Sequence, residues 1–306
     1  MMTYEAAKQL FDGAGLPLTE SHFAQFQCYL AELTETNRHM NLTAITEPAE
    51  AWEKHFLDCA ILLQKVQLPL GAACIDVGTG AGFPGMVLAL LRPDLQVTLL
   101  DSLQKRIGFL EQTTAKLGLA NVRCIHARAE DGAKLPELRE QFDMATARAV
   151  AAMPVLTEYC LPFVKQGGVF AAMKGPSEMA EQAEAAAKLL GGEIVGEESY
   201  TLPTAGERKL IRIRKTAPTP QKSSLPSAFI SLGFLEPHAN TTLSYCFNNT
   251  DALMSFPTFT PVINFIPSSF IILTFLSIIC FSSFIFGIPY IRSPPTLSSR
   301  SYTVTL

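Results

Sequence analysis

A glycine-rich loop constrains the fold of this chain more than any other feature. The run 73–77 is typical of a buried strand and leads into Asp76-Val-Gly-Thr-Gly-Ala-Gly-Phe-Pro-Gly85, after which a helical pattern begins. Glycines let the backbone turn sharply and let a ligand approach the N–H groups at a helix N-terminus, and proline suits a first helical turn. The loop therefore predicts a nucleotide-type site at the end of a first strand.

The pattern after residue 72 alternates short β-branched runs with helical segments. The predicted strands are 73–77, 97–100, 122–126, 142–146 and 169–173, and the predicted helices are 85–91, 104–117, 151–164 and 177–190. Such alternation predicts an α/β fold, a parallel sheet with helices on both faces. The runs 193–200 and 209–215 have no helix between them and predict a terminal β-hairpin.

Three segments follow from these patterns. Residues 1–71 form a predicted helical cap, with apolar periodicity over 3–36 and 49–63, and 72–216 form the sheet-containing core. Residues 217–306 are a linker followed by a charge-poor tail. Only four charged residues lie after Lys222. The uncharged run 270–288 is close to the ~20 residues that span a bilayer. A frameshifted end, a membrane anchor and a disordered extension all stay open, and we favour the frameshift.

Composition narrows the class of protein further. The net charge of −4 excludes a strongly basic nucleic-acid-binding arm, so an anionic partner must meet a local basic patch. The seven cysteines show no CxxC pairing and no zinc-site spacing, which predicts a reduced, metal-free protein. The start of the chain carries charges where a secretory signal would be apolar, so we expect a cytoplasmic protein.

Acidic and basic residues at the strand ends suggest how a cofactor is held. Asp101 follows the second strand, where a carboxylate can accept the hydroxyls of a ribose. Both NAD and S-adenosylmethionine have such a ribose, so the loop and Asp101 do not separate the two. Ala129 and Glu130 follow the third strand, where an adenine edge would rest, and Arg148 ends the fourth. The alternatives are a helix cap for Asp101, a solvated turn for Ala129 and Glu130, and a surface salt bridge for Arg148.

These motifs occur with Leu100-Asp-Ser102, Ala147-Arg-Ala-Val150, Met173-Lys-Gly175 and, in the cap, Asn37-Arg-His-Met-Asn41-Leu-Thr43 and His55-Phe-Leu-Asp58. The set, spread over residues 3–216, resembles the small-subunit ribosomal RNA methyltransferase G family, also called glucose-inhibited division protein B. The resemblance implies a class I S-adenosylmethionine-dependent methyltransferase fold, Rossmann-like and seven-stranded with an antiparallel last strand. It also implies methylation of a guanine N7 in 16S ribosomal RNA, either free or in the assembled small subunit, by a monomeric enzyme.

The resemblance also assigns roles to residues. It places S-adenosylmethionine against Gly78, Phe83, Ala129, Glu130 and Arg148, with Asp101 as the expected ribose partner. Guanine N7 has a free lone pair and no proton, so transfer needs alignment rather than a general base, and no catalytic residue is predicted.

Candidates for the RNA side are the basic residues near strand edges and the cap: Arg38, His55, Lys105, Arg106, Lys174 and Arg212. Each could equally be a solvated surface charge, and His55 could simply pair with Asp58 one helical turn away. Two rival functions stay open. An NAD-dependent oxidoreductase would explain the glycine loop, and a non-catalytic RNA-binding module would explain the basic residues.

Overall fold

The computed structural model describes residues 2–45 and 47–220. The predictions made for the apolar run 270–288 and for most of the 217–306 segment lie outside these residues. Within the described part of the chain, no helix is both long enough and apolar enough to cross a membrane.

The cap is built from two long helices and one composite helix. Helices α1 (Tyr4–Gly13) and α2 (Glu20–Asn37) are separated where glycines and a proline interrupt the apolar periodicity. Each begins at a threonine whose hydroxyl accepts a backbone N–H of the first turn, Thr3 for α1 and Thr19 for α2.

The second predicted cap helix is present, but it is not uniformly α-helical. It comprises α3 (Pro48–Ala51), a π-helical turn (Trp52–Leu57) and α4 (Asp58–Lys65). The π-helical turn places Trp52 and Phe56 in the core, where the Phe56 ring stacks on Phe26 with centroids 4.6 Å apart.

The described chain has seven strands: β1 (Ala73–Val77), β2 (Gln96–Asp101), β3 (Val122–His126), β4 (Phe142–Arg148), β5 (Val164–Lys174), β6 (Gly192–Leu202) and β7 (Gly206–Lys215). They form one sheet in the order β3-β2-β1-β4-β5-β7-β6. Strands β1 to β5 are parallel, β7 runs antiparallel to β5, and β6 pairs with β7 as the predicted hairpin.

Among the helices between strands, the first two have the predicted bounds, and the last two are shorter than predicted. They are α5 (Gly85–Leu91), α6 (Gln104–Leu117), the short α7 (Ala129–Gly132), α8 (Met153–Cys160) and α9 (Glu184–Leu189). The predicted helix 151–164 ends in a 3-10 turn at Leu161–Phe163, and β5 starts at once, five residues before the prediction of 169. Helix 177–190 is likewise shorter, because its first part is a 3-10 turn at Ala180–Ala183.

Apolar side chains fill both faces of the sheet. One cluster joins the cap to the sheet, with Phe26 and Phe56 in the same packed group as Leu99. The other packs α8 against the opposite face. The cap thus shares a core with the sheet and covers its carboxyl edge, where the glycine loop lies.

Candidate active site

A cleft of about 570 Å³ opens at the carboxyl ends of β1, β4 and β5, beneath the cap. Glycine-loop residues form one side of it, and cap residues such as Thr43 and Lys54 form another. Its charged lining comprises the cations Lys54, Arg106, Arg148, Lys174 and Arg208 and the carboxylates Asp58 and Glu178. The cleft is therefore locally positive in a chain with a net charge of −4.

The glycine loop is held in shape by its own acidic residue. Oδ2 of Asp76 accepts the Thr79 hydroxyl at 2.7 Å and the Gly85 N–H at 2.8 Å, so the carboxylate ties the start of the loop to α5. Oδ1 of Asp76 is buried without a partner in the described chain. Burial raises the pKa of Asp76 to about 6, although its two hydrogen bonds act in the opposite direction.

Most N–H groups of the loop already have acceptors, either within the loop or at the end of β2. Gly78 and Thr79 both donate to the Leu100 carbonyl at 2.8 and 3.1 Å, while Gly82 and Phe83 donate to the Thr79 carbonyl at 2.9 and 3.1 Å. A dinucleotide pyrophosphate needs such donors free, since it binds to backbone N–H groups at a helix N-terminus. The loop thus fits a cofactor without phosphates, and the buried Asp76 carboxylate beside it suits a cationic one such as S-adenosylmethionine.

Asp101 lies at the end of β2, as predicted, but its carboxylate is 2% exposed and is engaged by neighbours. Its Oδ2 accepts the Gly80 N–H at 2.9 Å and an Arg106 N–H at 3.3 Å, and its Oδ1 accepts the Leu103 N–H at 2.9 Å. The capping alternative is not what the structure shows, because the N-cap of α6 is Leu103 and no side chain caps this helix. A ribose contact stays a prediction, and it would require exchange of one of these bonds.

Arg148 joins the sheet to the cap. Its Nη1 donates to the Lys54 carbonyl at 2.7 Å and lies 3.1 Å from Oδ2 of Asp58, and its Nη2 lies 3.0 Å from Nδ1 of His55. The guanidinium carbon is also 5.2 Å from the centre of the Phe83 ring. The surface salt bridge considered from sequence is thus an inner ion pair, with Asp58 only 3% exposed.

The residue after Arg148 has an unusual backbone. Ala149 has a φ of +56°, in the left-handed region that non-glycine residues seldom adopt, and it lines the cleft. This turn brings Val150 over the glycine loop, so a Cβ added to Gly78 would meet the Val150 side chain at 2.8 Å. Gly78 is required there both for its own φ of +71° and for this close approach.

His55 is a buried neutral imidazole in the cleft lining, and its contact with RNA stays a prediction. It is 6% exposed, and its ring stacks on Phe83 with centroids 4.3 Å apart. Because a guanidinium only donates, Nδ1 must accept from Arg148, which leaves the proton on Nε2, 3.0 Å from the Thr43 hydroxyl oxygen. Burial, aided by the charge of Arg148, lowers the pKa of His55 to about 3. His55 and Asp58 form no hydrogen bond with each other, because both side chains contact Arg148 instead.

The other predicted RNA-side residues are distributed over three places. Arg106 and Lys174 line the cleft, whereas Lys105 is exposed on α6 beside it. Arg38 is exposed at the end of α2 and pairs with Glu35. Arg212 lies in a separate cleft at the opposite end of the sheet, where it contacts the Lys65 carbonyl and Glu198.

Of the predicted cofactor residues, Gly78, Phe83 and Arg148 line the cleft. Ala129 and Glu130 begin α7, which follows β3, and they are not part of this lining. Their contact with an adenine stays a prediction.

Sequence reasoning missed Tyr200, whose hydroxyl donates to Oδ1 of Asp58 at 2.8 Å. It also missed Lys54, Glu178 and Arg208 as cleft residues. No spacing signals the Tyr200–Asp58 contact, because 142 positions separate the two residues. No group of histidine, cysteine and carboxylate side chains in the described part of the chain could hold a metal ion.

Strand order, the antiparallel β7 and a loop suited to a phosphate-free cofactor together define a class I S-adenosylmethionine-dependent methyltransferase. The family model described as rRNA small subunit methyltransferase G matches residues 22–211. The chain belongs to this family.

Curated relatives named ribosomal RNA small subunit methyltransferase G agree with that assignment. The protein of Clostridium perfringens strain 13 is 48% identical over 198 residues, which cover 64% of this chain and 83% of the relative. The protein of Desulforamulus reducens is 42% identical over 231 residues, covering 73% of this chain and 94% of the relative. A precorrin-6y C5,15-methyltransferase structure from Geobacter metallireducens is similar at 19% identity and a TM-score of 0.40, covering 51% of this chain and 87% of that one.

Proposed function

We propose that this protein transfers a methyl group from S-adenosylmethionine to N7 of a guanine in small-subunit ribosomal RNA. The observation that carries the proposal is the meeting of the glycine loop and an excess of cations in one cleft: five cations and two carboxylates line it. Cations at a groove attract the RNA backbone, and phosphate contacts position the nucleic acid without reading its sequence.

The chemistry of the cleft supports a target atom that carries no proton. Both oxygens of Asp58 are occupied, by Arg148 and by Tyr200. Both nitrogens of His55 are occupied as well, and its low pKa makes it a poor base. A methyl acceptor that must lose a proton would need a free base beside Arg148, where Asp58 and His55 are both engaged, whereas guanine N7 needs no base.

The bound cofactor supplies an electrophilic methyl group, and the protein's own residues orient the acceptor. Gly78, Phe83 and Arg148 are the proposed cofactor contacts within the cleft, with Asp101, Ala129 and Glu130 towards the ribose and adenine. Arg106 and Lys174, together with Lys54 and Arg208, are the proposed RNA contacts. Lys105 and Arg38 would extend this surface outside the cleft. We also propose a cytoplasmic location, because ribosomal RNA is the substrate, and a monomer, because the described residues of a single chain line the cleft.

The test measures transfer of a labelled methyl group from S-adenosylmethionine to small-subunit RNA isolated from cells that lack this gene. The RNA is offered in two forms, free and in assembled subunits. We expect N7-methylguanine at one position, absent from RNA of the gene-deleted cells and present in RNA of the parent cells. Comparison of the two substrates decides which form is used. Failure to methylate either substrate, with cofactor binding intact, would contradict the proposal, and binding of NAD in its place would favour the oxidoreductase.

A further inference from the structure

Glu178 is the cleft carboxylate that keeps an oxygen free. Its Oε1 lies 2.9 Å from the ammonium of Lys174, and Oε2 has no partner in the described part of the chain. Asp58, the other carboxylate of the lining, uses both of its oxygens on Arg148 and Tyr200. Glu178 is therefore the lining residue best placed to accept hydrogen bonds from a bound base.

The Lys174–Glu178 pair is held rigidly. Lys174 ends β5, its side chain is 7% exposed, and its ammonium donates to the Ala151 carbonyl at 2.6 Å. The turn that follows is fixed by Lys209, which donates to the Glu178 carbonyl at 3.0 Å. With two of its three donors used, the Lys174 ammonium has one left for a ligand.

A cation beside a carboxylate matches one edge of guanine. The Watson–Crick edge of guanine presents the O6 acceptor, then the N1–H donor, then the 2-amino donor, whereas adenine presents a donor and then an acceptor. Proteins that act on single-stranded or extruded bases read this edge by hydrogen bonds. If Lys174 and Glu178 hold this edge, N7 on the adjacent Hoogsteen edge, next to O6, keeps its lone pair free to face the methyl donor.

We propose that Glu178 and Lys174 select guanine as the acceptor: Glu178 accepts from N1–H and the 2-amino group, and Lys174 donates to O6. This assignment rests on the proposed function and adds the residues that determine base specificity. Adenine at the same position would place its amino group against the ammonium of Lys174 and leave the Glu178 carboxylate facing an acceptor. Glu178 is a specificity residue that neither holds the cofactor nor moves a proton.

The test uses small-subunit RNA with guanosine or inosine at the position that the wild-type protein methylates. Inosine lacks only the 2-amino group, so it removes one bond to Glu178 and retains N7. Full-length wild type, Glu178→Ala and the control Glu181→Ala are compared. Glu181 is exposed three residues further on and does not line the cleft, so its variant makes the same change of charge outside the site.

We expect Glu178→Ala to lower kcat/KM on the guanosine RNA by roughly 10- to 100-fold, since a bond to a charged group is lost. Replacement by inosine should lower kcat/KM of wild type and of Glu181→Ala about tenfold and leave Glu178→Ala nearly unchanged. S-adenosylmethionine affinity by calorimetry should match wild type in both variants, whereas the melting temperature should fall only in Glu178→Ala, because Lys174 loses its ion-pair partner.

An equal inosine penalty in wild type and Glu178→Ala would overturn the assignment, as would a loss of cofactor affinity in Glu178→Ala. Failure of the wild-type protein on the guanosine RNA is a different result, because it refutes the proposed function itself.

Discussion

Arg148 has a structural role that its position at a strand end did not predict. The sequence placed it at the carboxyl edge of the sheet, and in the structure it lines the cleft at that edge. However, its hydrogen bonds go to the cap, at Lys54, His55 and Asp58. A loss of activity after substitution of Arg148 would therefore combine a loosened cap with loss of the proposed cofactor contact.

Replacing Arg148 by alanine should lower the free energy of unfolding by about 3–5 kcal/mol, because Asp58 is left buried without its cation. Urea denaturation measures the change. The matched control is Arg38→Ala, which removes an exposed pair with Glu35 and should cost about 0–1 kcal/mol. Equal stability of the two variants would show that the Arg148 pair is not what holds the cap.

His55 gives the protein a specific sensitivity to acid. Its pKa is about 3 in the folded protein and 6.5 for a free histidine, so the folded state disfavours protonation. The stabilisation from neutral His55 is present above pH 6.5 and is lost as the pH falls from 6.5 towards 3. Between pH 7 and pH 5 the folded protein should lose about 2 kcal/mol through this one residue.

The variant His55→Gln, which does not titrate, should lack that part of the acid destabilisation. Denaturation curves at pH 7 and pH 5 for both proteins give the comparison. His39, exposed near the end of α2, supplies the control variant His39→Gln, which should follow wild type. The same pH dependence in all three proteins would contradict a low pKa for His55.

Among the elements, the π-helical turn Trp52–Leu57 is the one that the sequence could not reveal. Its residues keep the apolar periodicity of an α-helix, so the pattern predicts a helix and not its hydrogen-bond register. The turn exists where Arg148 reaches the Lys54 carbonyl from 94 residues away and where Trp52 and Phe56 enter the core. Tertiary contacts of this kind are invisible to local pattern.

Other elements were predictable for equally physical reasons. The glycine loop, the first three strands and helix α6 carry strong local signals, and the structure places them as expected. The hairpin was recognised because no helical pattern separates its strands. Glu178 escaped notice because its place in the cleft depends on a turn that Lys209 of β7 holds.

Glu53 lies in the π-helical turn of the cap's composite helix and anchors that helix to the β6–β7 turn. Its carboxylate accepts bonds from the Thr204 N–H and hydroxyl, both at 2.5 Å, and from the Ala205 N–H at 2.9 Å. Glu53→Ala should therefore speed amide hydrogen exchange at 203–206 and lower the free energy of unfolding by about 2–3 kcal/mol. Glu50→Ala, which removes an exposed partner of Lys54, should leave this exchange unchanged. Unaltered exchange in Glu53→Ala would mean that the turn does not depend on the cap.

At the scale of the whole molecule, the cations of the cleft and the apolar core shared by cap and sheet meet at the carboxyl edge of the sheet. The cap packs on the sheet through one shared cluster of apolar side chains, and the cleft between them collects five cations. The rest of the chain outweighs this excess, since the full sequence carries a net charge of −4. An overall negative protein can thus bind RNA at one place, with weak attraction elsewhere.

Residues 216–220 follow β7 and are hydrogen-bonded to residues away from the cleft. The N–H groups of Thr216 and Ala217 donate to the Gly191 carbonyl, the Thr219 N–H donates to Glu140, and Arg139 donates to the Thr219 carbonyl. Beneath them, the buried ammonium of Lys215 lies 3.1 Å from Glu140. This segment therefore completes the folded body beyond the last strand.

A chain shortened to end after Lys222 retains all of these bonds, whereas one that ends after Lys215 loses those made by 216–220. We expect the shorter chain to be less stable by about 2–4 kcal/mol, because several hydrogen bonds are lost at ~1 kcal/mol each. Urea denaturation of the two shortened chains, with equal S-adenosylmethionine affinity as a check on the cleft, measures this difference. The cofactor cleft lies at the opposite edge of the sheet, so its affinity should survive both truncations while stability separates them. Equal stability would show that 216–220 merely lies on the surface, and that the fold is complete at β7.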